Sequence, residues 1–132
     1  MSKKILLIDD DQDLLRAYQV TLKSQGYSVI SADNGSTGYD LLCQEQPDLL
    51  VLDVMMNTEL EGYNLLHKIK GDPVWRNLPV ILLTGMSNQL GVNLISGVED
   101  DERLPNVVFQ DKPIDPAKLI SLVDDLLKIT GG

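Results

Sequence analysis

The chain has 132 residues, 43% hydrophobic and 23% charged, which suits one domain with a real core. Its formal net charge of -9, with no basic cluster beyond Lys3-Lys4, argues against direct nucleic-acid binding, which needs a basic face to neutralise phosphates. Cys43 is the only cysteine, so an internal disulfide is excluded and a reducing cytoplasm is the expected home. The apolar run after Lys3-Lys4 is too short for a signal-peptide core or a membrane span.

Lys4–Asp9 reads as a first strand, ending in Asp9-Asp10-Asp11. Asp11 or Gln12 opens a helix carrying Leu14, Leu15, Tyr18 and Leu22 at helical spacing, with Gly26 beyond its end. Ser28–Ser31 is a shorter, less apolar strand, expected at an edge. Asn34-Gly35-Ser36 starts a second helix, and Pro47-Asp48 ends it. Leu49–Asp53 follows, four large apolar residues and then a carboxylate, the pattern of a strand buried on both faces. A loop at 57–62 leads to a third helix, Tyr63–Lys70. Val80–Thr84 is a fourth strand, Met86–Val98 is helical in part, and Val107–Phe109 is a fifth strand. Asp115-Pro116 begins a last helix that runs to about Ile129.

Five strands alternating with five helices predict an α/β fold, a flavodoxin-like doubly wound parallel sheet of order 2-1-3-4-5 with helices on both faces. In that order the first and third strands are neighbours, so Asp9, Asp10 and Asp53 converge at the carboxyl edge, where such sheets bind ligands. Clustered carboxylates repel, and a hard divalent cation such as Mg²⁺ relieves them. Thr84 and Lys112 stand at strand ends on the same edge. Carboxylates, a hydroxyl and an ammonium together fit a phosphoryl group that one aspartate accepts covalently.

The motifs Ile5–Asp11, Pro47–Met56, Leu78–Gly85 and Asp111-Lys112-Pro113, in order at strand ends, resemble those of the response-regulator receiver domain of two-component signalling, of the chemotaxis-regulator type. The resemblance covers essentially residues 1–132, with Gly131-Gly132 as a tail or linker. It implies a non-enzymatic phosphoacceptor that takes its phosphoryl group from a phosphohistidine on a sensor kinase or phosphotransfer protein. Asp53 is then the acceptor, Asp10 and Asp53 bind Mg²⁺ directly with the carbonyl of Met55, and Asp9 acts through water. Thr84 and Phe109 are the implied switch residues, Lys112 pairs with the phosphoryl group, and the Lys112–Pro113 bond is cis. An output partner is expected on the face made by the fourth helix, fifth strand and fifth helix, and a homodimer is expected on phosphorylation.

The chain also departs from the family pattern. Asn57 stands where the family has proline, Gly62 comes one residue late, and the stretch from Thr84 to Lys112 is long. Asp11 suits a helix start better than a metal site. Cys43 is expected in the core, Trp75 in a packed loop, His67 at the surface and Glu99–Glu102 in a solvated turn. The apolar residues of the last helix exceed one stripe, so Ile120 and Leu127 are expected to face a partner. Two rival readings remain open. A haloacid-dehalogenase-like phosphatase would use Asp9 and Asp11 as its nucleophile and acid pair. A receiver-like binding module would never become phosphorylated.

Overall fold

The computed structural model describes residues 3–54, 61–84, 106–112 and 114–131, with Thr84 and 129–131 described in their backbone alone. Five strands form one parallel sheet: β1 (Lys4–Ile8), β2 (Ser28–Ala32), β3 (Leu49–Asp53), β4 (Val80–Thr84) and β5 (Val107–Asp111). The spatial order is β2-β1-β3-β4-β5, as expected, with β2 at an edge. Four helices lie among the described residues: α1 (Gln12–Lys23), α2 (Gly35–Glu45), α3 (Glu61–Lys70) and α4 (Pro116–Gly131). The expected helix within 86–98, the acidic turn at 99–102, the loop from Met55 to 60 and Pro113 lie outside the described residues.

The strand pleat sorts the core into two layers. Leu6, Ile8, Leu50, Leu52, Val80 and Leu82 face one side and pack with Leu42 of α2 and Leu65, Leu66 and Ile69 of α3. Ile5, Leu7, Leu49, Val51, Ile81 and Leu83 face the other, against Leu15 and Leu22 of α1 and Leu119, Val123 and Leu127 of α4. Alternate residues of one strand therefore serve opposite faces, which is why these strands are apolar throughout. The helix ends follow local chemistry. The Asp11 side chain caps α1, Asn34 caps α2, and Gly26, with φ of 91°, turns the chain toward β2.

The structure corrects two packing expectations. Cys43 is exposed, because its α2 position turns away from the sheet that buries Leu42. Leu127 lies in the core with Leu119 and Val123 at helical spacing, so it cannot face a partner; Ile120 is half-buried. Trp75 is buried, and its layer joins the loop before β4 to the core.

Lys70, at the end of α3, is an unexpected core residue at 1% exposure. Its ammonium donates to the carbonyl oxygens of Leu78 and, at 3.0 Å, of Arg76, so it ties down the turn that leads into β4. Burial pushes its pKa down to about 8. Between that value and 10.5 the unfolded chain holds a proton that the folded chain has released. Wild type should therefore gain stability relative to Lys70→Met as pH rises from 7.5 to 9.5, within a ceiling of about 3 kcal/mol. Urea midpoints of both proteins at the two pH values check this; a constant difference would sink it.

Candidate functional site

The carboxyl edge of the sheet gathers the polar residues. Register pairs Ile8 with Leu52, so Asp9 leaves β1 beside Asp53, the last residue of β3. β4 pairs Asp53 with Leu83, and β5 pairs Thr84 with Asp111, so Lys112 emerges one step beyond. Four strands thus deliver their terminal residues to one place, as a parallel sheet must when its strands end level.

Carboxylate oxygens of Asp9, Asp10 and Asp53 lie within 4.8 Å of one another. Asp9 and Asp53 are each 2% exposed, and Asp10 is exposed. The Lys112 ammonium sits between the two buried acids, 2.9 Å from Asp9 Oδ2 and 3.1 Å from Asp53 Oδ2. Asp9 Oδ1 also accepts the backbone N–H of Asp11 at 2.9 Å. Burial, reinforced by the negative charge of Asp9, pushes the pKa of Asp53 up to about 7 against the opposing pull of Lys112. Burial alone would lower Lys112, but the carboxylates of Asp9 and Asp53 outweigh it and raise it.

These residues fit a divalent cation. Three carboxylates against one ammonium leave two formal negative charges, which one divalent cation balances. Asp9 Oδ2 is buried and accepts no directed hydrogen bond, because the nearby ammonium approaches it off the bonding direction. An all-oxygen donor set suits Mg²⁺ over softer metals.

The structure therefore brings together Asp9, Asp10, Asp53 and Lys112. Thr84 ends β4 on the same edge, with its side chain outside the described residues, as is Met55. Phe109 is half-buried on β5 and packs on the layer beneath α2 and α3. Asp11 is not in the cluster: its carboxylate accepts the N–H groups of Asp13 and Leu14 at the start of α1. That placement removes the acid of the phosphatase reading, which also leaves the buried Asp53 without a role. A groove of about 610 Å³ between α2 and α3 contains none of the three clustered acids, so chemistry and not cavity size marks the site.

One neighbour of the site, Glu61, escaped the sequence reading, and Gly62 was noted there for its position alone. Gly62 packs on the main chain of Asp53 and Val54, and Glu61 reaches the N-terminus of α2. Glu61 carries no sequence signal beyond being an acidic residue before that glycine, which is too common to single out.

The chain is similar to known proteins over nearly its whole length. The sequence profile of the response regulator receiver domain matches residues 5–124. The chain is 32% identical over 130 residues to "Response regulator PleD" of Caulobacter vibrioides, covering 97% of this chain and 27% of that protein. It is 30% identical over 128 residues to "Transcriptional regulatory protein GltR" of Pseudomonas aeruginosa, covering 96% of this chain and 49% of that one. The chain thus spans about a quarter to a half of these relatives' length. Among solved structures, the signal receiver domain of a signal transduction histidine kinase from Syntrophus aciditrophicus superposes with a TM-score of 0.84 at 31% identity, over 98% of this chain and 92% of that one. The profile match, these identities and the shared 2-1-3-4-5 sheet lead to one assignment: the chain belongs to the response regulator receiver domain family.

Proposed function

We propose that this receiver domain takes a phosphoryl group onto Asp53 from a phosphohistidine on a sensor kinase or phosphotransfer protein, in the cytoplasm, and so switches its binding to a downstream partner. The observation that carries the reading is the buried Asp53 carboxylate sharing the Lys112 ammonium with Asp9 at the sheet's carboxyl edge. An oxygen of Asp53 attacks phosphorus, an O–P bond forms, the P–N bond to imidazole breaks, and the product is an acyl phosphate. Lys112 stays beside both acids and supplies positive charge to the incoming phosphoryl oxygens. Asp10 and Asp53, with the Met55 carbonyl and with Asp9 through water, would hold Mg²⁺, which when bound neutralises phosphoryl charge. Thr84 contributes its hydroxyl, and Thr84 and Phe109 shift an existing two-state equilibrium that reaches the face of β5 and α4. The domain promotes its own phosphorylation and later hydrolysis and turns over no external substrate. A homodimer on phosphorylation belongs to the same reading.

Acetyl phosphate with Mg²⁺ tests it. Wild type should gain one phosphoryl group by intact mass and lose it on treatment with hydroxylamine, and Asp53→Asn should gain none. Equal labelling of both proteins would move the chemistry elsewhere. A wild type that neither labels nor binds beryllofluoride would leave the module that is never phosphorylated.

A further inference from the structure

The end of β3 is held from outside by the first turn of α3. The Gly62 N–H donates to the Val54 carbonyl at 2.9 Å, and a Cβ on Gly62 would stand 1.7 Å from the Asp53 carbonyl oxygen. Glu61, one residue earlier, reaches across to α2, where its Oε2 accepts the Gly35 N–H at 2.6 Å. Gly35 is the first residue of α2, so the carboxylate takes an N–H that the helix cannot satisfy itself, at the helix's positive end.

This contact closes a belt around the site. Asp9 Oδ1 accepts the N–H of Asp11, and Gln12, which opens α1, donates to Asp33 Oδ2 at 3.1 Å. Asn34 donates to Asp33 Oδ1 at 2.9 Å and caps α2 through Thr37 N–H at 2.9 Å. Glu61 carries the belt on to α3, and Gly62 returns it to the backbone of Asp53 and Val54. The links through Asp33 and Asn34 are exposed and compete with water, whereas the Glu61 link is partly buried and charge-assisted. Among the described residues it is the hydrogen bond that ties α2 to the turn that rests on Asp53.

We propose that Glu61 is a positioning residue for phosphoryl transfer: by clasping the N-terminus of α2 it holds Gly62 on the Asp53 main chain and fixes how the Asp53 carboxylate meets the donor. The inference rests on the receiver reading above. Glu61 acts through backbone and does not join the reacting atoms. Attack in line with the leaving group is sensitive to displacements well under an ångström, so a loosened β3 end lowers the rate while leaving the acids and Lys112 in place.

Four variants test the clasp. Glu61→Ala removes the acceptor. Glu61→Gln keeps an acceptor oxygen without the charge. Gly35→Pro removes the donor at the first helical position, where proline is favoured, and Asn34, with φ of -156° and ψ of 165°, already has the extended backbone that proline requires before it. The fourth variant combines Glu61→Ala with Gly35→Pro. The initial rate of Asp53 phosphorylation by acetyl phosphate should fall about tenfold in Glu61→Ala and in Gly35→Pro. It should fall less than about threefold in Glu61→Gln, and the double variant should lose no more than either single one. A Gly35→Pro protein that unfolds at wild-type urea and still phosphorylates slowly separates positioning from stability. Wild-type rates in either single variant, or losses that multiply in the double, would overturn the clasp. If wild type itself takes no label at Asp53, the receiver reading falls and the clasp with it; a labelled wild type with unaffected variants removes the clasp alone.

Discussion

Asp53→Asn is expected to stabilise the metal-free protein by about 4 kcal/mol at pH 8 and by less than about half of that at pH 5. The cause is the proton balance of the buried acid. Asp53 titrates at 3.8 when unconstrained and about 7 in the folded protein, raised first by burial and then by Asp9. Between these values the folded state holds a proton that the unfolded state has lost, so wild-type stability falls as pH rises through that window. Asparagine nearly matches the protonated acid in shape and carries no charge, so it escapes the loss. The predicted magnitude is a ceiling, since solvent relaxation around a buried acid reduces it. Urea denaturation of both proteins in EDTA at the two pH values reads the effect directly. Added Mg²⁺ should then narrow the gap at pH 8, because an ion bound by the folded state alone rewards the protein that keeps all three carboxylates. A gap that is the same at both pH values would exclude the raised pKa of buried Asp53 as its origin.

Gly62→Ala should cost more than about 3 kcal/mol or abolish folding. The added methyl would meet main chain: Asp53 O at 1.7 Å, Asp53 C at 2.7 Å and Val54 Cα at 2.8 Å. None of these can yield cheaply, because Val54 N–H is bonded to the Leu83 carbonyl at 2.9 Å and Asp53 is paired with Leu83 in the sheet. Gly38 makes the useful contrast. A Cβ there would approach Ile8 Cδ1 at 2.4 Å, nominally a clash too, but with the far end of a flexible side chain. Gly38→Ala should therefore cost only about 1 kcal/mol, offset in part by the better helix propensity of alanine inside α2. Urea unfolding of the two variants side by side checks the ranking; equal losses would mean that the end of β3 yields as easily as a side chain.

Most of the site was legible before any coordinates. Leu49–Asp53 and Val80–Thr84 form strands with the expected bounds. Their unbroken apolar runs have no stable place except a sheet covered on both faces. A charge that ends such a run is pushed to the sheet edge, and parallel order then brings the edges together. Asp9, Asp10, Asp53 and Lys112 follow from that geometry alone. Other features were less visible. Cys43 and Leu127 were assigned to the wrong environments because a helix with apolar residues on several sides does not announce which stripe meets the sheet. Lys70 drew no expectation beyond closing the third helix, since nothing in its neighbours says that two carbonyls wait for its ammonium in the core.

The amino-acid pattern by itself determined the strand runs, their order and the acids at their ends, because burial periodicity and charge are local properties of the chain. Only the tertiary structure decided which oxygen of Asp9 lacks a directed donor, how Lys112 divides itself between Asp9 and Asp53, and why position 62 has no room for a side chain. Those are distances between residues far apart in sequence, and they arise only when the strand ends and the start of α3 meet around the end of β3. The contact from Glu61 to Gly35 is of the same kind: two ordinary residues that acquire a joint role by meeting across two helix starts.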